Sequence, residues 1–154
     1  MLYPPLNSVR STDRFHTYLS LSVSSRQPLL TLWTASWCPT CRTIAPAIRA
    51  LIESGVGEAE GGVAYAPVEF DAPDAAGLAM TYMITAVPTL LAFDDRGEPA
   101  RGAGAAPGRI ADGRRLADRD FLAEWIREQA RKYSGGGGGG GGGGRSAFGG
   151  LFGR

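Results

Sequence analysis

The run Leu29-Leu30-Thr31-Leu32-Trp33-Thr34 is apolar on consecutive rather than alternate positions and stops four residues short of a cysteine pair. A short continuous run of this kind reads as a strand covered on both faces. Upstream, Phe15, Tyr18 and Leu19 recur at helical spacing behind Ser11 and Thr12, which are suited to capping, and Gln27-Pro28 ends that pattern. A short strand near Leu6 to Val9 is expected before it. From about Thr40 to Ser54 the period is that of a helix, with Ile44, Ile48, Leu51 and Ile52 on one stripe and Gly55 and Gly57 as its stop. Pro46 lies inside this helix, where it removes one backbone hydrogen bond and is expected to kink the axis.

Val63 to Phe70 predicts the next strand, and Asp71, Pro73 and Asp74 open a short helix through Tyr82. Thr89 to Phe93 predicts another strand, introduced by Val87-Pro88. Asp94-Asp95-Arg96-Gly97 is a turn signal, after which Glu98 to Arg101 is expected to return as an edge strand and Gly102 to Gly113 to form a loop. The last helix is expected from about Asp118 to Tyr133, with Phe121, Leu122, Trp125 and Ile126 on its buried face. The order β-α-β-α-β-α-β-β-α predicts an α/β layered domain with a mixed sheet.

Composition changes this picture mainly at the end of the chain. Residues 135 to 144 are all glycine, and residues 134–154 are expected to be a disordered tail outside a domain of residues 8–133, with residues 1–7 irregular. Phe148, Leu151 and Phe152 are read either as a short docking motif or as stray apolar residues in that tail. Residues 1–133 carry 14 basic and 15 acidic side chains, which gives no electrostatic case for nucleic acid or an anionic membrane. Arg109, Arg114, Arg115 and Arg119 are interspersed with Asp112 and Asp118 and read as a solvated stretch. No run approaches the roughly 20 apolar residues of a membrane span. The N-terminus has no secretory pattern, so the cytoplasm is the expected compartment, with the mitochondrion as the alternative.

The candidate chemistry lies in the only two cysteines, Cys38 and Cys41. They are too few for a disulfide framework or a closed zinc site. No metal or cofactor is expected, although two chains sharing one metal through four cysteines is chemically possible. Cys38 falls where a strand gives way to a helix, so unpaired N–H groups and the helix dipole favour its thiolate. The outer sulfur can then attack a disulfide and the inner one resolve it. Pro39 suits the first helical turn. The bland alternative is a pair of structural cysteines. His16 reads as an ordinary helix residue rather than a base.

Ala35-Ser36-Trp37-Cys38-Pro39-Thr40-Cys41-Arg42 resembles the active-site run of the thioredoxin family. Pro46 falls where that family kinks its second helix, and Tyr82 through Phe93 is similar to its cis-proline segment, with Val87-Pro88-Thr89 matching closely. The resemblance covers about residues 8 to 133. It implies a thioredoxin fold, that is, a single α/β domain with a central mixed β-sheet flanked by helices. It implies a cis bond at Val87-Pro88 facing the cysteines, with Trp37, Val87 and Pro88 binding an extended substrate and the Gly102 to Gly113 loop bordering the same groove. The implied activity is thiol–disulfide exchange on protein disulfides by a monomer, with Cys38 attacking, Cys41 resolving, Pro39 and Thr40 tuning the pair, and a thioredoxin reductase as a possible electron source. A binding module with little turnover, or an oxidase or isomerase of the same fold, is the alternative.

Four positions depart from the family. Leu32 stands where a buried acid is usual, and Pro67 where a lysine commonly partners it. Glu69, two residues along the same strand face, is the candidate substitute carboxylate, set against an exposed glutamate with no role. The dipeptide Pro39-Thr40 replaces the usual Gly-Pro. A first-position proline is similar to that of glutaredoxins and some oxidising members, but no Gly-Gly-Cys or Gly-Gly-Asp follows the cis-proline segment.

Overall fold

The computed structural model describes residues 8–102 and 106–134. Its elements are α1 (Thr12–Ser25), β1 (Leu29–Thr34), α2 (Pro39–Glu53), β2 (Ala64–Glu69), a 3₁₀ turn (Pro73–Ala75), α3 (Ala76–Thr81), β3 (Thr89–Phe93), β4 (Arg109–Ile110), α4 (Gly113–Leu116) and α5 (Arg119–Tyr133). The four strands form one sheet in the order β2-β1-β3-β4. β1 runs parallel to β2 and antiparallel to β3, and β4 pairs antiparallel to β3. The sheet is therefore mixed, as the element order predicts.

Both faces of the sheet are covered, which explains why β1 has no polar face. Leu29 and Trp33 point to one side, with Phe15 and Tyr18 of α1 and Leu78 and Ala79 of α3. Leu30 and Leu32 point to the other, with Ile44, Ile48 and Ile52 of α2 and Leu122, Trp125 and Ile126 of α5. The alternation along the strand is complete, with an apolar layer waiting on each side. Each of these large side chains contributes roughly 1.5–3 kcal/mol by leaving water.

Local chemistry sets the helix ends. Ser11 caps α1, its hydroxyl accepting from the Arg14 N–H, and Asp118 caps α5 by accepting from the Asp120 and Phe121 N–H groups. Pro46 lies inside α2. At the far end of α5 the Ser134 N–H donates to the Ala130 carbonyl at 2.9 Å, and Ser134 is buried.

One expectation lies partly outside the described residues, and two are corrected. The strand expected near Leu6 to Val9 is, within the described residues, a single parallel bridge between Val9 and Val68. Glu98 to Arg101 is not a strand. Pro99, which has no N–H, makes one bridge to Phe93, and the Ala100 N–H reaches the Ala92 carbonyl at 2.8 Å. The true fourth strand is Arg109–Ile110, inside the segment expected to be a loop, and the short helix α4 follows it. The expected Gly-rich tail after Ser134 lies outside the described residues, as do residues 1–7.

Candidate active site

β1 ends at Thr34, and the three residues that follow turn the chain into α2. The Cys38 N–H closes this turn on the Ala35 carbonyl at 3.1 Å. Cys38 is the N-cap of α2, with φ −97° and ψ 105°, and Pro39 takes the first helical position, where its missing N–H costs nothing. The Cys38 sulfur accepts the Cys41 N–H at 3.2 Å. It therefore sits against the positive end of the helix, an environment that favours thiolate. Cys38 and Cys41 form a disulfide, with their Cα atoms 5.4 Å apart. Both are nearly buried, at 4% and 3% exposure, whereas Trp37 beside them is 65% exposed.

β3 supplies the opposite wall. The Val87–Pro88 peptide is cis and lies just beyond Trp33↔Thr89, the last pair of the β1–β3 ladder. Val87 packs with Phe70 against Ala35, Cys38 and Cys41. Residues from three elements thus meet at one end of the sheet: the exit of β1 with the start of α2, the exit of β2, and the entry of β3. Phe70 also lines an apolar groove with Met80, Met83 and Ile84, and the Met80 and Met83 side chains are exposed. Pro39 and Thr40 are exposed on the first turn of α2. Gly102 is described but residues 103–105 are not, so the expected border of the groove by that loop lies partly outside the described residues.

The turn before the cysteines is tied down by groups that sequence reading underrated. The Ser36 hydroxyl donates to Asp71 at 2.8 Å, and the Ser36 N–H donates to the same carboxylate at 3.2 Å. The Arg42 guanidinium donates to the Ser36 carbonyl at 2.9 Å. The hydrogen bond from the Ser36 side chain holds the Asp71 carboxyl below the usual carboxylate range. The signal that finds this clamp is the strand register. Thr34 pairs with Glu69, so Ser36 and Asp71, each two residues further on, arrive together.

Leu32 is fully buried in the α2–α5 layer. Glu69 is partly buried, ion-paired with Arg10, and lines the same cavity as Cys41. His16 is exposed on α1. Among the described residues no three His, Cys, Asp or Glu side chains are grouped to hold a metal ion, and no helix is long and apolar enough to cross a membrane.

The sequence matches the profile of the family described as Thioredoxin over residues 8–113. The chain belongs to the thioredoxin family. It is 33% identical over 88 residues to an M-type chloroplastic thioredoxin of Triticum aestivum, a match covering 57% of this chain and 47% of that one. It is also 33% identical over 95 residues to a probable thioredoxin-2 of Caenorhabditis elegans, covering 62% and 61%. The chain thus spans roughly half to three-fifths of these relatives' length. Among solved thioredoxins, that of Fasciola hepatica superposes with a TM-score of 0.59 at 22% identity, over 80% of this chain and 98% of that one. Thioredoxin O1 of Arabidopsis thaliana, in its oxidised state, superposes with a TM-score of 0.58 at 25% identity, over 79% and 95%. The domain is a thioredoxin fold, a four-stranded mixed sheet flanked by helices.

Proposed function

We propose that this thioredoxin-family chain is a protein-disulfide reductase in which Cys38 attacks and Cys41 resolves. The observation that carries the reading is Cys38 at the N-cap of α2, its sulfur already accepting a helix N–H and its disulfide partner one turn inward. The Cys38 thiolate attacks a substrate disulfide, forming a mixed disulfide and releasing one substrate thiol. Cys41 then attacks Cys38, the Cys38–Cys41 bond forms, and the second substrate thiol leaves. Val87, at the open end of the β3 ladder, offers a backbone edge to an extended polypeptide. Trp37, Met80 and Met83 offer exposed apolar contact around it.

Pro39 and Thr40 set the poise of the pair. An external reductant, for which a thioredoxin reductase is the proposed donor, returns the disulfide to the dithiol. A reducing compartment such as the cytoplasm suits a chain whose only cysteines cycle in this way, and the proposed working unit is a monomer. Residues 8–133 are the proposed folded unit, supported by the end of α5 at Tyr133, with Ser134 as its C-cap.

Reduction of a protein disulfide in the presence of dithiothreitol tests the reading. Activity should be present in the wild type and lost in Cys38→Ser, and unchanged activity in that variant would remove the assignment. A binding module with little turnover is favoured by one observation, the apolar pair Leu32 and Pro67 across β1 and β2, with Pro67 lining the same cavity as Cys41. A Cys41→Ser variant that traps no mixed disulfide, while a double cysteine variant keeps the same noncovalent partner, would select it. The measured reduction potential separates reductase from oxidase or isomerase.

A further inference from the structure

An apolar groove beside the active end is left uncovered by the described residues. Phe70, Ala79, Met80, Met83 and Ile84 line it, with a volume of about 590 Å³ and no charged side chain on its wall. Met80 and Met83, 81% and 72% exposed, are the most exposed large apolar residues among those described. The wall is held in place, since Arg109 of β4 donates to the Tyr82 and Met83 carbonyls. Phe70 belongs both to the groove and to the cluster around Cys38 and Cys41, so an occupant of the groove stands beside the disulfide. Methionine side chains adapt to irregular apolar occupants, and a concave apolar surface of this size marks a binding site.

The chain carries a segment that matches it. Residues 147–153 read Ala-Phe-Gly-Gly-Leu-Phe-Gly, an uncharged run following the ten glycines of residues 135–144. They lie outside the described residues. Phe148, Leu151 and Phe152 bring three large apolar side chains within about 14 Å of extended chain. Neither they nor the groove wall has a charge to desolvate, and Gly149 and Gly150 have no Cβ to hold the backbone off the groove. The reach is sufficient. The Arg131–Glu60 ion pair, at 3.6 Å, sets the end of α5 beside the turn that leads into β2. That is one six-residue strand, roughly 20 Å, from the cysteine end. Phe148 is fourteen residues beyond Ser134. A chain of that length spans up to about 46 Å, enough to round the sheet from the α5 face to the α3 face. Such a tether also holds its end at roughly millimolar effective concentration, above that of a second copy in dilute solution.

We propose that residues 147–152 dock in this groove of their own chain, and that a partner polypeptide must displace them to reach the disulfide. The docking is independent of the exchange chemistry proposed above, and the displacement rests on it. Leu21 and Val23 on α1, also exposed, are the rival seat.

The test uses the oxidised full chain labelled at its methionine, leucine and valine methyl groups. Its comparison is the triple variant Phe148→Ser, Leu151→Ser and Phe152→Ser, which alters no residue of the described domain. The Met80 and Met83 methyl resonances should move in the variant and return toward their wild-type positions when excess synthetic peptide of residues 145–154 is added. In the wild type they should not change on dilution. Resonances that stay in place in the variant, or movement at Leu21 and Val23 instead, overturn the proposal. So does a change on dilution, which assigns the groove to a second copy. In steady-state reduction of a protein disulfide, KM should fall about threefold in the variant with kcat unchanged, as for a groove open about one-third of the time in the wild type. An unchanged KM overturns the displacement. The methyl resonances decide the docking whether or not the wild type reduces protein disulfides, so the two readings fail separately.

Discussion

Asp71 and Thr31 each hold a part of the molecule through a single side chain. Asp71 anchors the turn before the cysteines through Ser36, and its carboxyl titrates below its ordinary value because of that bond. A carboxyl lowered on folding stabilises the protein fully above its unfolded value of about 3.9 and loses that contribution as the pH falls through the folded value. The Ser36 amide resonance should therefore show an acid-side shift below about pH 4 in the wild type, and Asp71→Asn should abolish that transition. Thr31 lies deeper. Its hydroxyl donates to the Leu91 carbonyl at 2.7 Å and accepts the Trp33 indole N–H at 2.8 Å, all within the buried sheet. Thr31→Val keeps the shape and orphans the indole N–H, so stability should fall by about 1–3 kcal/mol. Denaturant midpoints at constant slope measure it.

At the scale of elements, the sheet edge is where sequence reading and structure part. Long periodic segments were legible. The stripe Ile44, Ile48 and Ile52 and the run Leu29 to Thr34 place α2 and β1 within a residue of where they are. The cysteine pair and Val87-Pro88 were legible as motifs, although their meeting depends on β1 and β3 pairing in register. The edge was not legible because β4 has only two residues and no apolar alternation. Its place is set instead by close backbone approach at Gly108, whose carbonyl accepts the Ala92 N–H at 2.9 Å. A Cβ on Gly108 would collide with the Ala100 backbone, which has no flexible end to give way. Gly108→Ala should consequently destabilise the edge by about 1–3 kcal/mol. Thermal unfolding would register it, while the Cys38–Cys41 potential should stay close to the wild-type value.

At the scale of the whole molecule, the active end is assembled from segments far apart in the chain, and that is why sequence alone revealed its members more readily than its bonds. Ser36 and Asp71 are 35 residues apart. Neither advertises a partner, and only the parallel register of β1 and β2 brings them together. The same applies to Cys41 and Glu69, which line one cavity from α2 and β2. A thioredoxin fold was readable from order and motif. The charge pattern behind its disulfide required the packed arrangement.

The edge strand also reaches the cis-proline side of the molecule. The Arg109 guanidinium on β4 donates to the Tyr82 carbonyl at 2.7 Å and to the Met83 carbonyl at 3.2 Å, and Met83 has a left-handed φ of 55°. The segment leading into the cis-proline is thus stapled across to the last strand of the sheet. In hydrogen exchange the two should behave as one opening unit, protected and exposed together, rather than as a loop fraying from a fixed sheet. Arg109→Leu should uncouple them, accelerating amide exchange at residues 84–87 while leaving β1 amides unchanged. The surface proposed to meet a partner polypeptide would then owe its firmness to a side chain on the shortest strand among the described residues.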